Sequence, residues 1–465
     1  LARFINVCLE VRVSTLITPF FAGARLIALS KPDGWIRPIA VGNTLRRLVS
    51  KLACNLIYLK AGEYFVPRQL GISQSAGAEA AIHAVRKVID KKVHEEGFTA
   101  YQVDFKNAFN QCDRGTFLEA VRQTLPEIAR WTYFCYHHTS YLAYHGQLIR
   151  NSAGVQQGDP LGPILFALCL RKLTDLIQET GIYFQTWYLD DGLLISRRSE
   201  VVEAIKMIKS EGPRFGLILN EKKSSYYWPI GGQDPSTTSY LGCPLGDVDF
   251  VRQSINGKVT EATQTLDKMD EMLNSHHRFT LLRKCLGFPR FQYLISVLGE
   301  DISGLFTEFD ARVLTSLQRL IGHPLTQSAT LQARLQCKKG GLGLIALSDY
   351  EKWYKSESIK KTKRLLTLIF EPLTDMPESP VEQRTVEGRD TRETEIREEN
   401  AEQDEGGRDN IQDKLIAALK QNCTTRRLAR LSALTVTGSS SWLTRAPTTF
   451  SFMNAAEFSL SLRRY

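Results

Sequence analysis

Two adjacent carboxylates, Asp190 and Asp191, interrupt a stretch that otherwise favours strands: Tyr183-Phe184-Gln185-Thr186-Trp187-Tyr188-Leu189 precedes them and Gly192-Leu193-Leu194-Ile195 follows. Neighbouring acids repel one another and disfavour β structure, so a hairpin that carries both near its tip needs a compensating partner. The aromatic and β-branched flanks predict two strands, and Asp191-Gly192 predicts the turn between them. Two uses fit such a tip, a solvated surface turn or a cation site. The other carboxylates that the chain brings to it decide between them.

A chain of 465 residues with 43% hydrophobic content can bury two or three cores. Its net charge of +9 is unevenly spread. Residues 375–409 hold thirteen acidic and five basic side chains, a local −8, so the remainder carries +17. A basic excess of that size suits a polyanionic partner, above all nucleic acid. The nine cysteines are scattered, with no C-x-x-C pair and no grouping with histidines, which argues against a zinc site or a disulfide framework and for a reducing intracellular compartment, cytoplasmic or nuclear. The longest apolar run, Leu161 to Leu170, is too short to cross a bilayer, and no membrane partner is expected. The chain begins at Leu1, so truncation is expected.

Periodicity lays out an α+β chain. Strands are expected at 25–30 and 35–41 around the basic turn Lys31-Pro32-Asp33-Gly34, then a helix at 43–62 with Leu45, Leu48, Val49, Leu52 and Leu56 on one face. A second helix at 76–93 places Ile82, Val85 and Ile89 together. From Phe98 the pattern reads strand 98–105, helices at 115–144 and 162–180, the Asp190 hairpin, a helix at 200–212, and strands near 217 and 239. Residues 255–370 turn helical. The proline-bearing, charged stretch 371–410 lacks large apolar residues and predicts disorder, and a basic helix is expected at 411–434.

Three segments could carry chemistry. Tyr101-Gln102-Val103-Asp104 ends a strand on an acid, which is either a helix N-cap or a third carboxylate aimed at the hairpin. Three converging carboxylates repel strongly unless divalent cations fill the gap, and two such ions roughly 3.5 to 4 Å apart serve nucleotidyl transfer. Gln157-Gly158-Asp159-Pro160-Leu161-Gly162-Pro163 is a glycine-rich loop opening a helix, suited to a polyanion or a base pair, with Gln157 making polar contacts.

Asp104-Phe105-Lys106-Asn107-Ala108-Phe109, Gln157 through Pro163 and Tyr188-Leu189-Asp190-Asp191 occur in the order and spacing of motifs A, B and C of reverse transcriptases, and the chain resembles the polymerase region of a non-LTR (LINE-like) retrotransposon. Lys31 through Ile39 resembles the fingers motif, Gly216 through Ser224 motif D, Tyr240-Leu241-Gly242-Cys243-Pro244 the primer grip, and Gly340-Gly341-Leu342-Gly343-Leu344 a motif near the end of the thumb. The resemblance covers roughly residues 1–350. It implies a right-hand polymerase: fingers at 1–97, a palm at 98–254 with an antiparallel sheet packed on helices, a helical thumb at 255–370, the acidic linker at 371–410 and a C-terminal helical segment at 411–465.

The resemblance also assigns roles. Asp104, Asp190 and Asp191 become catalytic metal ligands for two Mg²⁺ ions, with Mn²⁺ as an alternative. Lys31 and Arg37 hold the incoming triphosphate, Gln157 and Gly158 belong to the substrate site, and Lys223, favoured over Lys222, protonates the leaving pyrophosphate. Phe109 stands where the family keeps an aromatic ring against a ribose 2′-hydroxyl, which argues for DNA synthesis. Leu189 replaces the commoner Ala or Met of motif C. The implied partners are an RNA template, a DNA primer or target, and dNTPs, in an oligomeric state left open. Competing readings are a decayed or domesticated nucleic-acid-binding remnant, and an RNA-dependent RNA polymerase or maturase-like protein.

Overall fold

Phe98-Thr99-Ala100-Tyr101-Gln102-Val103 is buried at every residue but Gln102, which is half-buried, as suits an inner strand covered on both faces. In the computed structural model, which describes residues 1–30, 34, 36–229, 234–299, 304–374 and 408–422, this strand lies inside a sheet. Two compact units emerge, one from Leu1–Gly242 with the chain from Thr362 to 374, the other from Cys243–Lys361 with 408–422.

The first unit contains two four-stranded sheets. In one, β1 (Ala24–Ser30) pairs antiparallel with β2 (Ile36–Gly42), and parallel with β4 (Ser140–Tyr144) of the hairpin completed by β5 (Gln147–Asn151). In the other, β3 (Phe98–Val103), β6 (Phe184–Tyr188), β7 (Asp191–Arg197) and β8 (Ser225–Tyr227) stand in the order β6-β7-β3-β8, all antiparallel. The apolar helix Gly162–Glu179 joins the core of this unit through Leu165, Phe166, Leu168 and Leu173, all essentially solvent-free. Pro163 falls in its first turn, where a missing N–H costs nothing. The antiparallel sheet and helices meet the α+β expectation.

Several elements depart from the pattern read above. The helix at 43–62 spans Thr44–Phe65, capped by the Asn43 side chain, which accepts from Arg46 N at 2.8 Å. Its buried face is Arg46, Val49, Ala53 and Ile57, while Leu45, Leu52 and Leu56 are exposed. Apolar residues fall on nearly every face of this helix, interspersed with Arg47, Lys51, Asn55, Lys60 and Glu63, so periodicity could not choose the face. The stretch expected to be helical through 144 breaks into Arg114–Thr124 and Pro126–Tyr136 and then the β4–β5 hairpin, whose turn His145-Gly146 has positive φ at both residues. No strand forms near 217, where Leu219 makes a lone bridge to Phe105.

The second unit is helical. Val248–Asp270 opens it, so the boundary expected at 254 falls inside that helix. Asp267 and Asp270 of this helix meet Arg312 and Arg319 of Thr307–Ile321, with Arg312 at 2.5 and 2.9 Å. Asp310 caps the helix Leu347–Thr374 by accepting from Leu347 N and Ser348 N at 2.8 and 2.9 Å. That helix runs through Pro372, four residues into the stretch expected to be disordered; 375–407 lie outside the described residues. The post-linker helix starts at Arg408 rather than 411 and ends at Gln421, and residues from 423 on lie outside the description. Leu419 packs on Leu335, and the buried Gln412 side chain accepts from Gln336 N at 2.8 Å. Gly341 is needed there, since a Cβ would lie 2.2 Å from the Leu335 carbonyl oxygen.

Candidate active site

In the β6–β7 register Tyr188 faces Asp191, which leaves Leu189-Asp190 as a two-residue turn. The turn expected at Asp191-Gly192 is thus two residues earlier. Gly192 serves packing instead: it faces Trp187, and a Cβ there would lie 2.3 Å from the indole ring. Leu189 takes the left-handed conformation, φ +55°, which costs a non-glycine residue about 1–3 kcal/mol unless its surroundings enforce it. They do. The Gln69 side chain accepts from Leu189 N at 2.7 Å and donates to Leu189 O at 3.0 Å. On the other flank the buried Tyr240 hydroxyl donates to the Asp191 carbonyl at 3.3 Å.

Asp104 leaves the end of β3 beside this turn. Its carboxylate accepts from Asn220 Nδ2 at 2.8 Å, its carbonyl from Asn220 N at 2.8 Å, and its own N–H donates to Ser224 Oγ at 3.0 Å. The chain 218–224 is therefore folded against the loop after β3, an arrangement that Lys106 N to Ile218 O, 2.8 Å, extends.

The electrostatics set these acids apart. Burial raises the Asp190 pKa, with Asp104 adding to the rise, while the residue's own backbone amide and Arg37 oppose it. Asp191 is pushed up to about 6, first by desolvation and then by Asp190 and Asp104, even though its outer side reaches solvent. Burial and like charge both disfavour the ionised forms, and only Arg37 among side chains works against them at Asp190. All-carboxylate oxygen donors short of positive charge suit a hard divalent cation. Among the described residues no three acidic, histidine or cysteine side chains are gathered tightly enough to enclose an ion unaided. Magnesium sites completed by water and substrate phosphate have that character.

The Phe109 ring stacks on Phe166 with centroids 4.4 Å apart, and its carbonyl accepts from Val155 N at 2.7 Å, so it is fixed against the glycine-rich loop. Gly158 N donates to Ala40 O at 3.1 Å; a Cβ there would stand 2.4 Å from that oxygen, so only glycine lets the loop reach β2. Gln157 beside it is half-buried.

Residues 29–245 match the family described as reverse transcriptase (RNA-dependent DNA polymerase). This segment is a reverse transcriptase domain. The chain is also 25% identical over 341 residues to the retrotransposable element SLACS 132 kDa protein of Trypanosoma brucei gambiense, covering 69% of this chain and 28% of that protein. It therefore spans little more than a quarter of that relative's length. The expected kinship with retrotransposon reverse transcriptases is met by both matches. Among solved structures, telomerase from Candida albicans with a TWJ fragment of telomeric RNA is 10% identical with a TM-score of 0.46, covering 80% of this chain and 65% of that one. Apo telomerase from Candida tropicalis is 12% identical with a TM-score of 0.43, covering 78% and 67%.

The reverse transcriptase domain places the remaining expected residues unevenly. Arg37 is exposed on β2 opposite Leu29, and its charge reaches Asp190. Lys223 is exposed in the turn between Asn220 and Ser224, the two residues that hold Asp104. Lys31 lies outside the described residues. Reverse transcriptase domains generally use divalent metal ions.

A buried network escaped the sequence reading. Arg46 pairs with Asp159 at 2.8 Å and hydrogen-bonds Gln156 and Ala22 O, while Tyr136 donates to Asp159 at 2.7 Å. It fastens the glycine-rich loop to the helix Thr44–Phe65, so Asp159 is a structural anion. The spacing of Arg46 with Val49, Ala53 and Ile57 was the available signal, masked by Leu45, Leu52, Leu56 and Leu59, which lie off that face. Among the described residues no helix is long and apolar enough to cross a membrane.

Proposed function

We propose that this chain is the RNA-directed DNA polymerase of a non-LTR retrotransposon, with fingers, palm and thumb in right-hand order and two Mg²⁺ ions at its site. The observation that carries this reading is the meeting of Asp104, at the end of β3, with Asp190 and Asp191 at the β6–β7 turn, where burial raises the pKa of both turn acids, Asp104 adds to the rise at each and Asp190 adds to it at Asp191. Bound divalent cations would make the primer 3′-hydroxyl a stronger nucleophile and stabilise the leaving oxygen, and Mn²⁺ can substitute.

The chain's own groups do the rest. Asp104, Asp190 and Asp191 are the ligands. Arg37 and Lys31 grip the triphosphate, Arg37 through a planar fork that suits phosphate. Gln157 and Gly158 border the templating pair. Phe109, braced by Phe166, closes the space that a ribose 2′-hydroxyl would need. The primer hydroxyl, losing its proton to solvent, attacks the α-phosphate of a dNTP, the bond from that phosphorus to the β-phosphate's bridging oxygen breaks, and pyrophosphate leaves with a proton donated by Lys223. The +17 carried outside residues 375–409 supplies a surface for an RNA template and a DNA primer, and that binding weakens with salt.

Primer extension on an RNA template tests this reading, with deoxy- or ribonucleotides and with Mg²⁺ or a chelator. Mg²⁺-dependent products made from dNTPs are expected. No product from either nucleotide overturns the polymerase reading, and preference for ribonucleotides overturns the role of Phe109.

A further inference from the structure

We propose that Gln69 is a positioning residue for this chemistry: its side-chain amide latches the Leu189-Asp190 turn and so fixes where the Asp190 carboxylate stands relative to Asp104. The inference rests on the polymerase reading above and adds a residue that belongs to none of its motifs.

The turn needs a latch because of its sequence. Leu189 is held at φ +55°, a conformation that Gly or Asn would adopt far more readily. Left alone, a leucine there relaxes toward negative φ and carries the next residue, Asp190, with it. Gln69 engages both polar groups of Leu189 at once, Oε1 accepting from the N–H at 2.7 Å and Nε2 donating to the carbonyl at 3.0 Å. Two-point contact fixes orientation as well as distance.

The latch is itself immobile. Gln69 is 5% exposed, and its Oε1 also accepts from Gly71 N at 2.9 Å. The segment is tied to β6 on both sides of Gln69, Trp187 N donating to Arg68 O at 2.7 Å and Leu70 N to Trp187 O at 2.8 Å. Gly71 completes the fit, since a Cβ there would stand 2.9 Å from Leu189 N. The three hydrogen bonds described for this side chain thus all serve the turn or the latch. A displacement of about 1 Å at a reacting centre costs on the order of a hundredfold in rate, so a group one residue from Asp190 has that leverage.

The test uses the full chain and two readouts, Mn²⁺ binding followed by electron paramagnetic resonance and primer extension. Gln69→Leu should weaken Mn²⁺ binding at least tenfold and lower kcat ten- to a hundredfold, with the KM for dNTP little changed. Gln69→Asn, which keeps the amide but shortens its reach, should do the same, and it serves if the leucine variant does not fold. In a Leu189→Asn background, where the turn tolerates positive φ without help, the loss from Gln69→Leu should shrink tenfold or more. Wild-type protein that binds Mn²⁺ and extends primers while folded Gln69→Leu matches it overturns the latch, as do strictly additive effects of Gln69→Leu and Leu189→Asn. Wild-type protein that does neither overturns the polymerase reading instead.

Discussion

Two groups of aspartates lie in the two units, and they have opposite surroundings. In the helical unit Asp267 and Asp270 face Arg278, Arg312 and Arg319 at 2.5 to 3.4 Å, and the Asp267 carboxyl is held below its usual pKa first by its hydrogen bond to Arg312. In the reverse transcriptase domain Asp190 and Asp191 are both raised first by burial, with Asp104 adding to each and Asp190 adding to Asp191, and Arg37, at Asp190, is the lone opposing side chain. The first group is complete as folded and joins two helices. The second keeps an electrostatic deficit that folding alone does not remove, and such a deficit is retained where a ligand will fill it.

The comparison breaks most decisively at Asp190. Asp190→Ala should lower primer extension at least a thousandfold, the range seen when a metal-held transition-state interaction is lost, while template binding in a filter assay stays within about twofold. Retained extension would remove Asp190 from the site. At the other group, Asp270→Ala should take a partner from three arginines, Arg278, Arg312 and Arg319, leave a largely buried gap and cost about 3 kcal/mol of stability, read by thermal or urea unfolding. A loss below about 0.5 kcal/mol, the range of surface substitutions, would show that the helix–helix pairing is solvent-screened.

Phe109→Val tests the site's selectivity with a smaller effect. Ribonucleotide incorporation should rise about tenfold relative to deoxynucleotides, roughly the 1–3 kcal/mol that a pocket contact of this size supplies. Unchanged selectivity would place the sugar gate elsewhere.

The smallest effect is in pH dependence, and its sign separates the two groups. Asp191 has a folded pKa of about 6, above its unfolded value, so the folded state holds the proton more tightly. Its contribution favours folding at low pH and is lost as pH rises toward 6 and beyond. Asp191→Asn should therefore flatten the metal-free stability curve between about pH 4 and 6, by less than about 1 kcal/mol because the group reaches solvent. Asp267, whose folded pKa is depressed, contributes in the reverse sense, its stabilisation present above the unfolded value and lost as pH falls. Chemical unfolding from about pH 6 down to about pH 2 measures both, Asp191 in the upper part of the range and Asp267 below its unfolded value, and a steeper curve for Asp191→Asn would contradict the assignment.

How far the sequence could be read follows from the range of the interactions involved. The strand Phe98–Val103, the two strands of the β6–β7 hairpin, and the face of the second helix carrying Ile82, Val85 and Ile89 were legible because residues close in the chain determine them. The exposed leucines of Thr44–Phe65 misled, since a buried arginine marked the inward face. The hairpin at 140–151 was hidden by residues equally at home in a helix, with only His145-Gly146 to mark its turn. Gln69 could not be found at all: a lone glutamine has no signature, and its meaning comes from a partner 120 residues away. Local elements were thus visible in the sequence, while the distant contacts that hold them in place were not.

The most direct test of the contrast between the two acidic groups is a Mg²⁺ titration followed by thermal unfolding of wild type, Asp190→Asn and Asp270→Asn. The account predicts that Mg²⁺ raises the melting temperature of wild type and, from a lower start, of Asp270→Asn by similar amounts, and leaves Asp190→Asn nearly unmoved. A full Mg²⁺ shift in Asp190→Asn, or one abolished in Asp270→Asn, would contradict it.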